Sequence, residues 1–283
     1  MGLDAGIVPD PGLTYMNMAL NYSANTLNDS TGHAIPAITG TYQFWVDENI
    51  FMYVPHSKLL GGYLAPWVDI NVANGSLVGD ISILGNAIQA NGGGAGLADT
   101  LVEPFNLGWH FSRADLSVGD GFMAPTGRYN PLATNNVGSG YWGNHLTDAA
   151  TVYITKNKGT SASLFTDMES HTTKRGTGTT PGPAFTMEWG IGQALPLAKD
   201  LSKIVQIGFV GYDQWQVSGN GGLVANQLPY YSAHALGAQG TFLAPKKGLN
   251  FFFKYYSEYN AKAHPEGRTF VFGGSWTLRI PKQ

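Results

Sequence analysis

The chain contains no cysteine, which excludes disulfides, thiolate catalysis and cysteine-based metal sites and fits an export route on which free thiols are a liability. Charge is scarce as well. Asp, Glu, Lys and Arg make up 12% of the residues, roughly half the share of an ordinary soluble domain. The net charge is -3 with no basic stripe, which argues against nucleic-acid binding and against polybasic attachment to a membrane surface. Nowhere do about 18 apolar residues follow one another, so no membrane-crossing helix is expected, and a spanning protein of this make-up has to be a closed barrel. The opening Met1-Gly-Leu-Asp lacks a basic stretch followed by an apolar one, and the chain reads as mature, its leader removed. No Pro/Ser-rich linker or charge run divides it, so residues 1–283 read as one domain.

What is abundant is glycine, at 38 of 283 residues, and aromatic side chains, at 12%. Few charges with many aromatics suit a sheet whose outer face meets lipid. Twelve stretches read as strands, and the joints between them alternate in length. Short joints lie at Pro55 to Leu60, Ser112 to Asp115, Lys156 to Thr160, Ala198 to Leu201 and Ala244 to Gly248. Longer ones lie at Asn25 to Gly40, Asn74 to Leu97, Thr126 to Gly138, Thr173 to Pro183, Gly219 to Tyr230 and Tyr259 to Gly267. This layout predicts an all-β fold: a 12-stranded antiparallel up-and-down transmembrane β-barrel with short periplasmic turns and long extracellular loops. Lysines and arginines at the short joints (Lys58, Arg113, Lys156, Lys158, Lys199, Lys203, Lys246, Lys247) mark that end as periplasmic, and an even strand number places both termini there.

Period-two alternation assigns the faces. Phe270, Phe272, Trp276, Leu278 and Ile280 alternate with Val271, Gly273, Ser275, Thr277 and Arg279, and Phe105, Leu107, Trp109 and Phe111 alternate with Asn106, Gly108, His110 and Ser112. Aromatics near proposed strand ends (Tyr42, Phe44, Trp45; Tyr141, Trp142; Tyr212, Trp215; Tyr255, Tyr256, Tyr259) are expected in interfacial girdles. The same alternation makes Asn17, Trp67, Asp69, Asn71, Asn106, His110, Asp148, Tyr153, Asp167, Glu188, Gln206, Lys254 and Glu258 candidates to line the channel. Polar groups in such a barrel also pair with one another merely to fill it. In the joint from Asn74 to Leu97, Leu77, Ile81, Leu84 and Ile88 are apolar, and Ile81, Leu84 and Ile88 keep helical spacing after a possible N-cap Ser76. With Arg128, these four form a candidate loop entrance for apolar solutes.

Catalytic patterns are missing from the sequence. His33, His56, His110, His145, His171, His234 and His264 are scattered, and neither G-x-S-x-G nor H-E-x-x-H accompanies them, so no enzyme, metal site or cofactor is expected.

Three motifs then point to a family. Gly96-Leu-Ala-Asp99 ahead of a strand ending Gly108-Trp109, Ala124-Pro-Thr-Gly-Arg-Tyr129, and Val137-Gly-Ser-Gly-Tyr-Trp142 resemble, in order and spacing, the proteobacterial outer-membrane channels known as meta-pathway of phenol degradation-like proteins. The resemblance covers the chain from about Thr41 onward. It implies a monomeric 12-stranded barrel in the Gram-negative outer membrane that passively takes up small hydrophobic or aromatic molecules. Its partners would be that solute and outer-membrane lipid, with no nucleic acid. The chain departs from the usual outer-membrane pattern by ending Leu278-Arg-Ile-Pro-Lys-Gln283 without a terminal aromatic. Two alternatives stay open: a structural or lipid-modifying barrel, and a soluble β-sandwich binding module.

Overall fold

The computed structural model describes residues 2–83, 86–222 and 228–279, with side chains left aside at 80–90 and at Arg279. Twelve strands form the wall: β1 Gly12–Leu27, β2 Ile38–Val54, β3 Trp67–Ile83, β4 Thr100–His110, β5 Ala114–Ala124, β6 Gly143–Tyr153, β7 Thr160–His171, β8 Ala184–Pro196, β9 Ile204–Gln216, β10 Ser232–Ala244, β11 Leu249–Lys262 and β12 Pro265–Arg279. Each pairs antiparallel with its neighbours in sequence, β12 pairs with β1, and β3 meets β4, which closes the cylinder. A closed antiparallel ladder satisfies the backbone without leaving an edge, as lipid requires.

The alternation read from sequence sorts side chains as expected on most strands. Phe251, Phe253, Phe270, Phe272 and Trp276 are exposed on the outside, whereas Phe252, Lys254, Tyr256, Glu258, Thr269 and Val271 are buried inside. Four short connections gather at one end with a longer one between β2 and β3, where the short joint expected at Pro55 to Leu60 instead carries a small hairpin pairing Lys58–Leu59 with Gly62–Leu64. The long-loop end differs from expectation in two places. The joint after Asn74 is not a helix: β3 runs on to Ile83 and turns back as a strand over Asn86–Gly92, with Leu77 paired to Gly92 and Ile81 to Ile88. Branched residues (Val78, Ile81, Ile83) outweigh the helical spacing there because the pleated ladder continues from the wall. The joint at Tyr259 is also shorter than read, since β11 and β12 extend to Lys262 and Pro265.

One stretch of wall is thin. On the lower part of β4, Tyr63 and Leu64 pair with Gly108 and Leu107, and the Ala65 amide donates to the Asn106 carbonyl at 2.7 Å. The ladder then resumes over Trp67–Glu103 to Asp69–Leu101 and continues through the Ala98 amide, which donates to the Asn71 carbonyl at 2.8 Å, to the pairs Val72–Leu97, Ala73–Gly96 and Asn74–Ala95. Pro66 and Pro104 fall in the break between, neither able to donate, and the β4–β5 register slips between Val102 and Phe105.

Candidate functional site

Residues 2–11 do not lie outside the barrel but run through its interior. Leu3 packs among Val210, Ala235 and Tyr256, while Val8 packs with Val54 and Ala65. Backbone groups of the segment are met by the wall: the Leu3 amide donates to Gln239 Oε1 at 3.1 Å, the Asp4 amide to Ser163 Oγ at 2.9 Å and the Gly6 amide to Thr151 Oγ1 at 3.3 Å. Gln206 Nε2 donates to Asp4 Oδ1 at 3.0 Å. The fit depends on glycine at position 108, where a Cβ would come within 2.2 Å of Val8 Cγ2. Leu3, Asp4, Gly6 and Val8 were not legible as site residues, because their partners (Gln206, Gln239, Ser163, Thr151) are scattered over separate strands.

Burial pushes the Asp4 carboxyl above its ordinary value of 3.8, the Gln206 amide opposes this, and the Asp115 charge adds to it. The seated segment therefore holds a proton more readily than the released one. Seating strengthens as pH falls, and it weakens as pH rises from 3.8 through the higher seated value. Conductance across planar bilayers is expected to drop on acidification in the native chain and to lose that dependence in Asp4→Asn; an equal response in both would refute the link.

Above this floor, toward the long loops, the wall encloses a chamber of about 110 Å³ lined by Trp67, Leu101, Glu103, Asn106, His145, Thr147, Phe165 and Asp167 among others. Register explains their convergence: Trp67 opposes Glu103, and His145, Thr147, Phe165 and Asp167 share the inward face of β6 and β7. Glu103 accepts from Trp67 Nε1 at 3.0 Å, Asn106 Nδ2 at 2.5 Å and Thr147 Oγ1 at 3.2 Å. Three donors thus converge on the side chain of a residue only 2% exposed. His145 Nδ1 lies 2.9 Å from Asp167 Oδ2, and Glu169 bridges on to His171 Nε2 at 2.8 Å. His145 Nε2, Asp167 Oδ1 and Asn106 Oδ1 are buried without a hydrogen-bond partner.

Among the proposed lining residues, Trp67, Asp69, Asn71, Asn106, Glu188, Gln206, Lys254 and Glu258 share the inward faces of their strands. His110 and Tyr153 also face inward, but at the short-turn end, where both bond the Asp115 carboxylate. Asp148 borders the chamber but turns its side chain to the outer face. It stands beside Leu146 and Val152 on the outer face and accepts from Thr166 Oγ1 at 2.5 Å, because odd positions of β6 face inward and even ones outward. Asn17 is likewise outside, donating to Asp47 Oδ1 at 2.6 Å. Of the expected girdle, Trp45, Trp142 and Tyr259 are exposed on the outside and Trp215 is half-buried; Tyr22 stacks on Phe44 inside, and the Tyr212 hydroxyl reaches inward to Glu258.

The loop entrance is only partly assembled. Leu77 sits on β3 opposite Tyr42, near the mouth. Ile81 and Ile88 pair across the hairpin, though their side chains, and Leu84 altogether, lie outside the described residues. Arg128 donates to the Asn135 carbonyl at 2.7 Å, so it braces its own loop.

Asp99 explains why the three sequence motifs occur together. Its carboxylate accepts from the Gly127 amide at 2.9 Å and from the Ser139 amide at 2.6 Å and hydroxyl at 2.5 Å, joining all three. Gly140, at φ +79, lies against the Tyr129 ring where a Cβ would collide. A family model described as "MetA-pathway of phenol degradation" matches residues 24–272. The chain belongs to this family. Within the phenol-degradation family match, the motifs held by Asp99 all fall inside the aligned span. The chain is also similar in structure to an outer membrane channel from Pseudomonas putida F1, at 13% identity and a TM-score of 0.77, with 98% of this chain and 99% of that one covered. It is similar, too, to the β domain of the Bordetella autotransporter Brka, at 12% identity and a TM-score of 0.57, covering 95% of this chain and 100% of that one. Both likenesses show a shared barrel fold. No curated protein matches the chain.

Proposed function

We propose that this member of the phenol-degradation family is an outer-membrane channel for passive uptake of small hydrophobic or aromatic molecules, with its short turns and both termini on the periplasmic side. The observation that carries the reading is a chamber with ring-bearing walls (Trp67, Phe165) beside the thin stretch of wall at Pro66 and Pro104. A solute enters from the long-loop end and settles above the amino-terminal floor. With that floor seated, the route of least resistance for an apolar solute is sideways between β3 and β4 into the bilayer. The three pairs Trp67–Glu103, Val68–Val102 and Asp69–Leu101 stand between the break at Pro66 and Pro104 and the further pairs from Val72–Leu97 to Asn74–Ala95.

The test exploits a chain without native thiols. Val68→Cys combined with Val102→Cys places two thiols at directly paired positions, within reach of a disulfide. In proteoliposomes, oxidation is expected to abolish uptake of an apolar aromatic tracer and reduction to restore it. Equal flux in both states would sink the lateral step, and no flux above protein-free vesicles in the native chain would sink the channel itself.

A further inference from the structure

We propose that the chamber between Trp67 and Asp167 sorts aromatic solutes by charge, binding those that carry an ammonium group, holding neutral ones more weakly and rejecting aryl carboxylates. This rests on the same chamber as the channel reading and names its solute class. Charge is the first argument. Glu103 and Asp167 line the chamber, and Glu169 Oε1 lies 3.8 Å from His145 Nε2 at its edge. Among the described residues the basic side chains facing them are His145 and His171, and Asp167 with Glu169 balances the two rings even when both are protonated, before Glu103 is counted. Along the adjoining wall, Glu48 and Asp69 add further acid, with Lys254 the base set among the inward residues of β11.

Unsatisfied atoms are the second, independent argument. His145 and Asn106 are each 9% exposed, both line the chamber, and both keep a buried polar atom without a partner, as does Asp167. Asn106 Oδ1 and Asp167 Oδ1 are acceptors, so what completes them is a donor. An ammonium brings three donors and the sign the carboxylates call for. A carboxylate brings acceptors only and meets Glu103 and Asp167 at close range in a poorly solvated space.

Size and shape set the remainder of the solute. A cavity of about 110 Å³ is smaller than the ~150 Å³ known to accommodate a benzene ring, so it limits the solute to a single ring. Trp67, Phe165 and Leu101 supply the flat and apolar walls such a ring packs against. Because Glu103 already accepts from three donors, it is fixed in place and needs no rearrangement when the solute arrives.

The test is isothermal titration calorimetry of the full chain in detergent with benzylamine, benzyl alcohol and benzoate at neutral pH. This reads occupancy without any flux, so its failure is separable from that of the channel reading. Benzylammonium is expected to bind about tenfold or more tighter than benzoate, with benzyl alcohol between. Glu103→Gln and Asp167→Asn, each checked for native heat-modifiable mobility, should each shrink that ratio severalfold. The proposal is overturned if benzoate binds as tightly as benzylammonium, if none of the three binds, or if the ratio survives both substitutions.

Discussion

Removal of residues 2–10 is expected to raise single-channel conductance severalfold while leaving a folded barrel. The segment fills the lumen from Leu3, against Val210 and Tyr256, down to Val8, against Val54 and Ala65. Its seating is nearly balanced. Burying Leu3 and Val8 contributes about 3 to 6 kcal/mol. Four hydrogen bonds to Gln239, Ser163, Thr151 and Gln206 add about 4 kcal/mol. Ordering the segment costs about 9 kcal/mol, at roughly 1 kcal/mol per residue. A floor held this loosely is released by modest perturbation. Gly108→Leu should therefore mimic the deletion, since a side chain there occupies the space of Val8. Planar-bilayer recordings decide it, and native-sized conductance in both variants would show that the segment does not obstruct the lumen.

Glu258→Ala is expected to be the most damaging single substitution in the wall, lowering stability by about 3 kcal/mol or more. The buried carboxylate accepts from the Tyr22 hydroxyl at 2.8 Å, the Tyr212 hydroxyl at 2.6 Å and the Gly267 amide at 2.6 Å. It thereby ties β1, β9 and β12 to β11 from inside. Loss of this acceptor strands the Tyr212 hydroxyl and the Gly267 amide and leaves the Tyr22 hydroxyl with the Pro265 carbonyl at 3.3 Å alone. Glu258→Gln keeps the volume and an acceptor and should cost less than half as much. Urea unfolding followed by tryptophan fluorescence gives the comparison; similar midpoints for Glu258→Ala and the native chain would show that water replaces the carboxylate.

Strand number, direction and most of the side-chain sorting were legible because alternation along β4, β8 and β12 is enforced by two different solvents, lipid outside and lumen inside. Phase was harder to read where polar residues occur on both faces. On β6, His145 and Asp148 are three apart and so cannot share a face, and only register with Thr166 shows that Asp148 is the outer one. The hairpin after Asn74 was misread because short apolar runs fit either period until a neighbouring strand is known. Asp99 was visible within a motif, yet its role depends on Gly127 and Ser139, which local spacing cannot bring together. The interior path of residues 2–11 left the weakest trace, since it has neither periodicity nor a strand partner.

The single carboxylate of Asp99 that clasps Gly127 and Ser139 has a mechanical corollary. The rim of the vessel is laced from its own cord, whereas its stopper is fastened far below, to Gln239, Ser163 and Thr151. Displacing the stopper is therefore expected to leave the doorway as it is, which on the channel reading proposed above would separate admission of a guest from drainage of the vessel.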